Sequence, residues 1–413
     1  TVEQVIKKGI ENARKACEGT DCIVALDLGP IGRLVEPTGD LKFEEAYDIY
    51  KEQVIAGREA DVIVFETMTD LLELKAAVLA AKENTELPII CTMTFEQNMR
   101  TFTGCQVSSM ALTMEGLGVD ALGVNCSLGP DELYPVVEEL GRYTRLPLVV
   151  KPNAGLPDPV TNEYNVTPQE FAAKMAKMAQ IGVTIMGGCC GTSPAYIAEL
   201  KKALDGAEFV REERAIPSAV CSASNTVERI NPTGKKLFKQ ALKDHNLDYI
   251  MNQALEQIDG GAEILDVNVG LPEIDERSMM VDAIRAIQSV CDVPLQIDST
   301  IPEVLEAGLR IYCGKPIVNS VNGEENSLNN VLPLVKKYGA CVVGLALDEN
   351  GIPKTAPERV AIAKKILDRA LAIGIPKENV FIDCLTLTAS AEQDGVMETL
   401  NALHAVHYEL GLN

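Results

Sequence analysis

Short apolar, β-branched runs alternate with amphipathic stretches along the whole chain. The first half offers CIVALDLGP (22–30), DVIVFETM (61–68), LPIICTMTF (87–95), DALGVNCS (120–127), LPLVVKPNAG (146–155) and VTIMGGCC (183–190). Between them lie segments of helical periodicity such as DLLELKAAVLAAKE and PQEFAAKMAKMAQIG. A continuous apolar run followed by a helix, repeated, predicts βαβ units and a parallel sheet covered by helices. The second half repeats the plan with AEILDVNVG (262–270), VPLQIDST (293–300), PIVNSVNG (316–323), ACVVGLALD (340–348) and NVFIDCLTLT (379–388). SAVCSASNT (218–226) is expected to supply its first strand. GAEFVREERAIP (206–217) is charged, holds Gly and Pro, and lacks periodicity. It reads as a linker between domains at 1–205 and 218–413.

Each half thus shows about six β/α units. Polar residues cluster at the C-terminal ends of the predicted strands: Glu66, Asn125, Cys126, Cys189, Cys190, Asp298, Asn319 and Asp383. Barrels gather chemistry at that face from many strands, whereas open doubly wound sheets concentrate it at one switch point, commonly beside a Gly-rich turn. No GxGxxG follows any of these strands. The expected fold is therefore α/β, two TIM-type (β/α)8 barrels in tandem, each incomplete.

Composition narrows the partners. Sixty acidic against 37 basic residues give a formal charge of −23, which argues against nucleic acid and anionic membrane surfaces. No apolar run approaches the ~20 residues of a membrane span, and nothing reads as a signal peptide. The 12 cysteines are scattered and mostly flanked by apolar residues, the pattern of a reduced, cytoplasmic protein.

The pair in MGGCCGT (186–192) has three readings. Strand-end cysteines serve as small core hydrophobes; a vicinal disulfide is strained and suits an oxidising compartment. In the third reading, two thiolates on a Gly-flanked turn, about 3.8 Å apart at Cα, reach one metal ion. Cys126 in GVNCS ends another strand about two β/α units earlier and offers a third sulfur. Three thiolates with an open fourth position describe a catalytic zinc site. NPTGKK (231–236) suggests a phosphate loop, but it lacks the earlier Gly and the following Ser/Thr of that motif.

GVNCSLGP (123–130), KPNAGLP (151–157) and MGGCCGTSP (186–194) together resemble the homocysteine-binding barrel of cobalamin-dependent methionine synthases. VERINPTGKK (227–236) and the runs after it resemble that family's methyltetrahydrofolate-binding barrel. The resemblance covers essentially the whole chain in the family's domain order. It implies that Cys126, Cys189 and Cys190 bind zinc and that homocysteine supplies the fourth sulfur. Glu66 would hold the homocysteine amino group, with Asn125 a second candidate. The pterin contacts would be Glu228, Asn231, Asp298, Asn319 and Asp383, with Asp266 and Asn268 nearby.

The implied reaction moves a methyl group from 5-methyltetrahydrofolate through cobalamin to homocysteine, giving methionine and tetrahydrofolate. A corrinoid-binding domain or protein is then a partner, because none of His245, His404 and His407 stands in a DxHxxG-type motif. The chain opens on Thr1 in a mid-helix pattern, so a fragment cut inside both barrels is expected, without the first strands of one and the last of the other. A homocysteine enzyme with a different methyl donor, or an inactive fragment, are the competing readings.

Overall fold

The computed structural model describes residues 1–158, 160–161, 163–164, 166–207, 216–227, 238–386 and 393–413. The chain divides into two compact units, Thr1–Ile216 and Pro217–Asn413.

The first unit runs α1 (Val2–Ala16), β1 (Ala25–Leu28), α2 (Phe43–Ala56), β2 (Val62–Met68), α3 (Leu71–Asn84), β3 (Ile89–Met93) and α4 (Val107–Leu117). It continues through β4 (Ala121–Asn125), α5 (Pro130–Leu140), β5 (Leu148–Lys151), α6 (Pro168–Met178), β6 (Val183–Met186) and α7 (Pro194–Leu204). All six strands are parallel and stand in the order β1-β2-β3-β4-β5-β6. Each helix packs against the next from α1 to α7. A doubly wound sheet reverses its strand order at a switch point and places helices on both faces; this order never reverses. Sequential strands with sequential helices are the winding of a barrel.

Burial follows the same logic. β4 is buried along its whole length, and α3 is buried from Leu71 to Ala81 despite Glu73 and Lys75. Glu73 is tolerated because it is bonded: its carboxylate accepts from Ile31 N at 2.6 Å and from the Tyr50 hydroxyl at 2.9 Å. Tyr50 Oη also bonds Gly29 O at 3.1 Å. The loop leaving β1 is thereby tied down at the C-terminal end of the strands.

The second unit runs β7 (Val220–Ser222), β8 (Thr226–Val227), α8 (Phe238–Lys243), α9 (Leu247–Asp259), β9 (Leu265–Asn268), α10 (Glu276–Val290), β10 (Leu295–Asp298) and α11 (Pro302–Ile311). Then come β11 (Gly314–Lys315), β12 (Ile317–Asn322), α12 (Glu325–Tyr338), β13 (Cys341–Leu345), α13 (Ala356–Ala372), β14 (Val380–Asp383) and α14 (Gln393–Tyr408). Its parallel sheet has the order β14-β13-β12-β10-β9, again without reversal.

This corrects the expectation for SAVCSASNT. β7 pairs antiparallel with β8 and β11 in a separate three-stranded sheet, so five parallel strands are described here, not six. Val220 packs with Ile264, Ile317 and Cys341, residues at or just before the N-terminal ends of β9, β12 and β13. The hairpin thus covers the end of the sheet opposite the polar strand ends. An apolar β-branched run reads alike in either setting, because its pairing partner is distant in sequence.

Candidate functional site

The polar residues of the first unit converge where its strands end. Asn125 closes β4 and is fully buried. Its Oδ1 accepts from Thr67 N at 2.8 Å and from Thr92 Oγ1 at 2.7 Å, while Nδ2 donates to Thr67 Oγ1 at 2.9 Å and reaches Cys189 Sγ at 4.0 Å. Both donors and both lone-pair sites of the amide are engaged. Thr67 has φ 59°, unusual for a β-branched residue, at a break in the β2–β3 register between Phe65 and Met68. The Asn125 bonds hold that turn, and with it the neighbouring Glu66.

Cys126 and Ser127 follow Asn125 with φ of 64° and 61°, a turn that lets the Cys126 thiol meet the β6 loop. Cys126 N bonds Lys151 O at 3.0 Å, and Cys189 N bonds Pro152 O at 2.8 Å. Cys190 N donates to Asn153 Oδ1 at 3.0 Å. The backbone of KPN between β5 and α6 therefore carries both cysteine segments. Gly191 has φ 79°, and a Cβ there would stand 2.4 Å from the Tyr164 ring. That close approach lets Tyr164 hydrogen-bond the Cys190 sulfur.

The three sulfurs lie within 4.8 Å of one another, with Cys126 Sγ and Cys190 Sγ 3.7 Å apart. Burial, then the neighbouring Cys126 charge, pushes the Cys189 thiol up to about 12. Cys190 is pushed up as well, by burial first and then by Cys126. Three thiols so close cannot all ionise unaided. A dication reverses the preference, because coordination deprotonates a thiol outright. As a donor set the cluster fits zinc.

In the second unit, Asn268, Asp298 and Asn319 share one register row across β9, β10 and β12. Asn268 Nδ2 donates to Asp298 Oδ2 at 2.8 Å. One pleat below, Gln296 Nε2 donates to Asp266 Oδ1 at 2.9 Å, and Asn319 also bonds Asp266. Partial burial raises the Asp266 and Asp298 carboxyls above the usual range. Asp383 ends β14 two positions beyond this row, and its Oδ1 accepts from Leu385 N at 2.8 Å. Glu228 and Asn231 lie outside the described residues.

Comparison with known proteins follows the division of the chain. Residues 1–204 match the family described as Homocysteine S-methyltransferase, and residues 227–412 the one described as Pterin binding enzyme. The chain's two halves belong to these two families. Methionine synthase of Mycobacterium leprae (strain TN) is 32% identical over 432 residues, covering 94% of this chain and 36% of that protein. Methionine synthase of Mycobacterium tuberculosis (strain ATCC 25618 / H37Rv) is 32% identical over 411 residues, covering 91% of this chain and 34% of that protein. The chain thus spans about a third of the length of both. Among solved structures, the metallated form of the Escherichia coli homocysteine methyltransferase MmuM is 26% identical, with a TM-score of 0.42. It covers 48% of this chain and 70% of that one.

Within the homocysteine S-methyltransferase half, sequence reasoning named Glu66, Asn125 and the three cysteines but not the residues bonded to them. Lys151 donates to Glu66 Oε2, and Asp27 on β1 lies against the same carboxylate. Thr67, Thr92, Asn153 and Tyr164 were likewise passed over. Lys151 and Asn153 stand in the KPNAGLP motif, and Asp27 ends an apolar run, so a positional signal existed. In the pterin-binding half the missed residues are Gln296, Glu276 and Ser299, whose hydroxyl donates to Glu276 at 2.6 Å.

Proposed function

We propose that this chain carries the homocysteine and methyltetrahydrofolate modules of a cobalamin-dependent methionine synthase. Cys126, Cys189 and Cys190 would hold a catalytic zinc, with homocysteine as the thiol it would activate. When bound, zinc supplies the Lewis acidity that turns the substrate thiol into a thiolate nucleophile at neutral pH. The observation that carries the reading is the convergence of three sulfurs in the half that belongs to the homocysteine S-methyltransferase family, on the same chain as a pterin-binding half.

Each residue has a role its chemistry suits. Glu66 receives the substrate ammonium. Asn125, with its hydrogen-bonding capacity engaged inside the protein, orients Thr67 and the Cys189 sulfur. In the second half, Asp298 and Asp383 accept from the N–H groups of the pterin's amidine-like edge, and Asn268 and Asn319 donate or accept beside them. Glu228 and Asn231 complete that set. N5 of the folate must be protonated or strongly hydrogen-bonded as its methyl group leaves, since an amide-like anion is a poor leaving group. This reading calls for a corrinoid held by a partner domain or protein, which would supply the methyl-carrier chemistry.

The test is metal content and methyl transfer from methylcobalamin to homocysteine. The chain should bind about one zinc by elemental analysis, and chelation should abolish transfer. Cys126→Ala should lower zinc occupancy at least tenfold at fixed free zinc, since one of three ligands is gone. Full zinc retention by that variant defeats the assignment.

A further inference from the structure

Asp298 and Asn319 end neighbouring strands, and one planar ring can meet both only if their spacing is fixed. Asp298 is held through a single oxygen. Its Oδ2 accepts from Asn268 Nδ2 at 2.8 Å, and Asn268 Oδ1 in turn accepts from Gly270 N at 2.9 Å. Among the described residues Asn268 is the side chain that donates to Asp298, which leaves Oδ1 for a ligand. Asn319 is held from below by Asp266.

The spacing itself runs through Ser299, which follows Asp298 and is buried. Ser299 N donates to Asn319 O at 3.1 Å, the bond that joins the two strand ends. Its hydroxyl accepts from Ile301 N at 3.1 Å and donates to Glu276 Oε1 at 2.6 Å. An ionised carboxylate only accepts, so the hydroxyl is committed as the donor, and burial keeps water from competing. Glu276 opens α10 and is half-buried. It also stands beside Gly270, where a Cβ would lie 3.8 Å from Oε1. Helix capping does not account for it, because Asp275 already accepts from Ser278 N at 3.3 Å. Glu276 therefore sits between the turns after β9 and β10 and reaches β12 through Ser299.

We propose that Glu276 is a positioning residue for folate binding: by holding the Ser299 hydroxyl it fixes the turn after β10, and with it the spacing of Asp298 and Asn319 across the pterin edge. Glu276 touches no ligand itself. A rigid ring cannot follow a side chain that drifts, and a turn ordered beforehand spares that ordering cost when the ligand arrives. This role rests on the methyltetrahydrofolate reading of the second half.

Calorimetric titration of methyltetrahydrofolate into the full chain reads the effect. Glu276→Ala and Ser299→Ala should each weaken binding about tenfold, and the double variant should lose no more than about twofold beyond either one. Glu276→Gln keeps a side-chain oxygen for the Ser299 hydroxyl and should recover binding to within about threefold of wild type. With Asp298→Asn in place, Glu276→Ala should cost less than about threefold, because the contact it positions is already weakened. A residue that merely steadies α10 would shift the urea midpoint and leave affinity alone. Unchanged affinity in Glu276→Ala, no recovery in Glu276→Gln, or full additivity with Ser299→Ala or Asp298→Asn overturns the role. Should Glu276→Ala fold poorly, Ser299→Ala combined with Asp298→Asn carries the same test. A wild-type chain that binds no methyltetrahydrofolate overturns the folate reading itself, and the role of Glu276 with it.

Discussion

A carboxyl beside another carboxyl resists ionisation, and Asp27 is the clearest case in this chain. Partial burial raises it first and the Glu66 charge next, while Lys151 pulls the other way. The sign follows from linkage. With a folded-state pKa above the unfolded one, the folded protein binds more protons between the two values, so stability falls as pH rises through that window. Below the unfolded value the group contributes nothing. Asp27→Asn should therefore melt higher than the wild type at pH 7, by about 1–2 °C because solvent screens this open strand end, and the gap should close below about pH 4. Thermal melts across that range check it.

Among the elements, α13 shows how a helix secures a strand end. Arg359 is 1% exposed and donates to four neutral oxygens: Pro353 O at 2.9 Å, Cys384 O at 2.9 Å, Leu385 O at 2.9 Å and Thr399 Oγ1 at 2.6 Å. It ties α13 and α14 to the turn after β14, which begins at Asp383 and bends through Leu385 with φ 57°. Arg359→Met would leave these carbonyls without their donor and should cost about 2–4 kcal/mol in urea denaturation. The same variant should weaken methyltetrahydrofolate through Asp383. Nothing in PERVAIAKK announced this role: on a helical pattern an arginine reads as a solvated face. β7 was misread for a similar reason, since its local apolar pattern carried no mark of an antiparallel partner.

At the scale of the whole molecule, the two units have separate cores, and each carries its own polar strand ends. Ligand binding in one should then be indifferent to damage in the other. Cys126→Ala should leave methyltetrahydrofolate affinity unchanged by calorimetry. Asp298→Asn should weaken it about tenfold or more, through loss of one charged acceptor, without altering zinc content. What the sequence by itself determined is periodic and local: alternating β/α units in two halves, polar residues at the strand ends, and three cysteines among them. These are properties a residue shares with its near neighbours in the chain, and parallel barrel winding repeats them unit by unit. Only the tertiary structure decided which strand ends face one another. It brought three thiols from the ends of β4 and β6 within 4.8 Å, laid Lys151 against Glu66, and set β7 in a separate antiparallel sheet at the end of the parallel sheet opposite its polar strand ends. Those contacts join residues tens of positions apart, and their energy comes from burial and pairing that no short window of sequence contains.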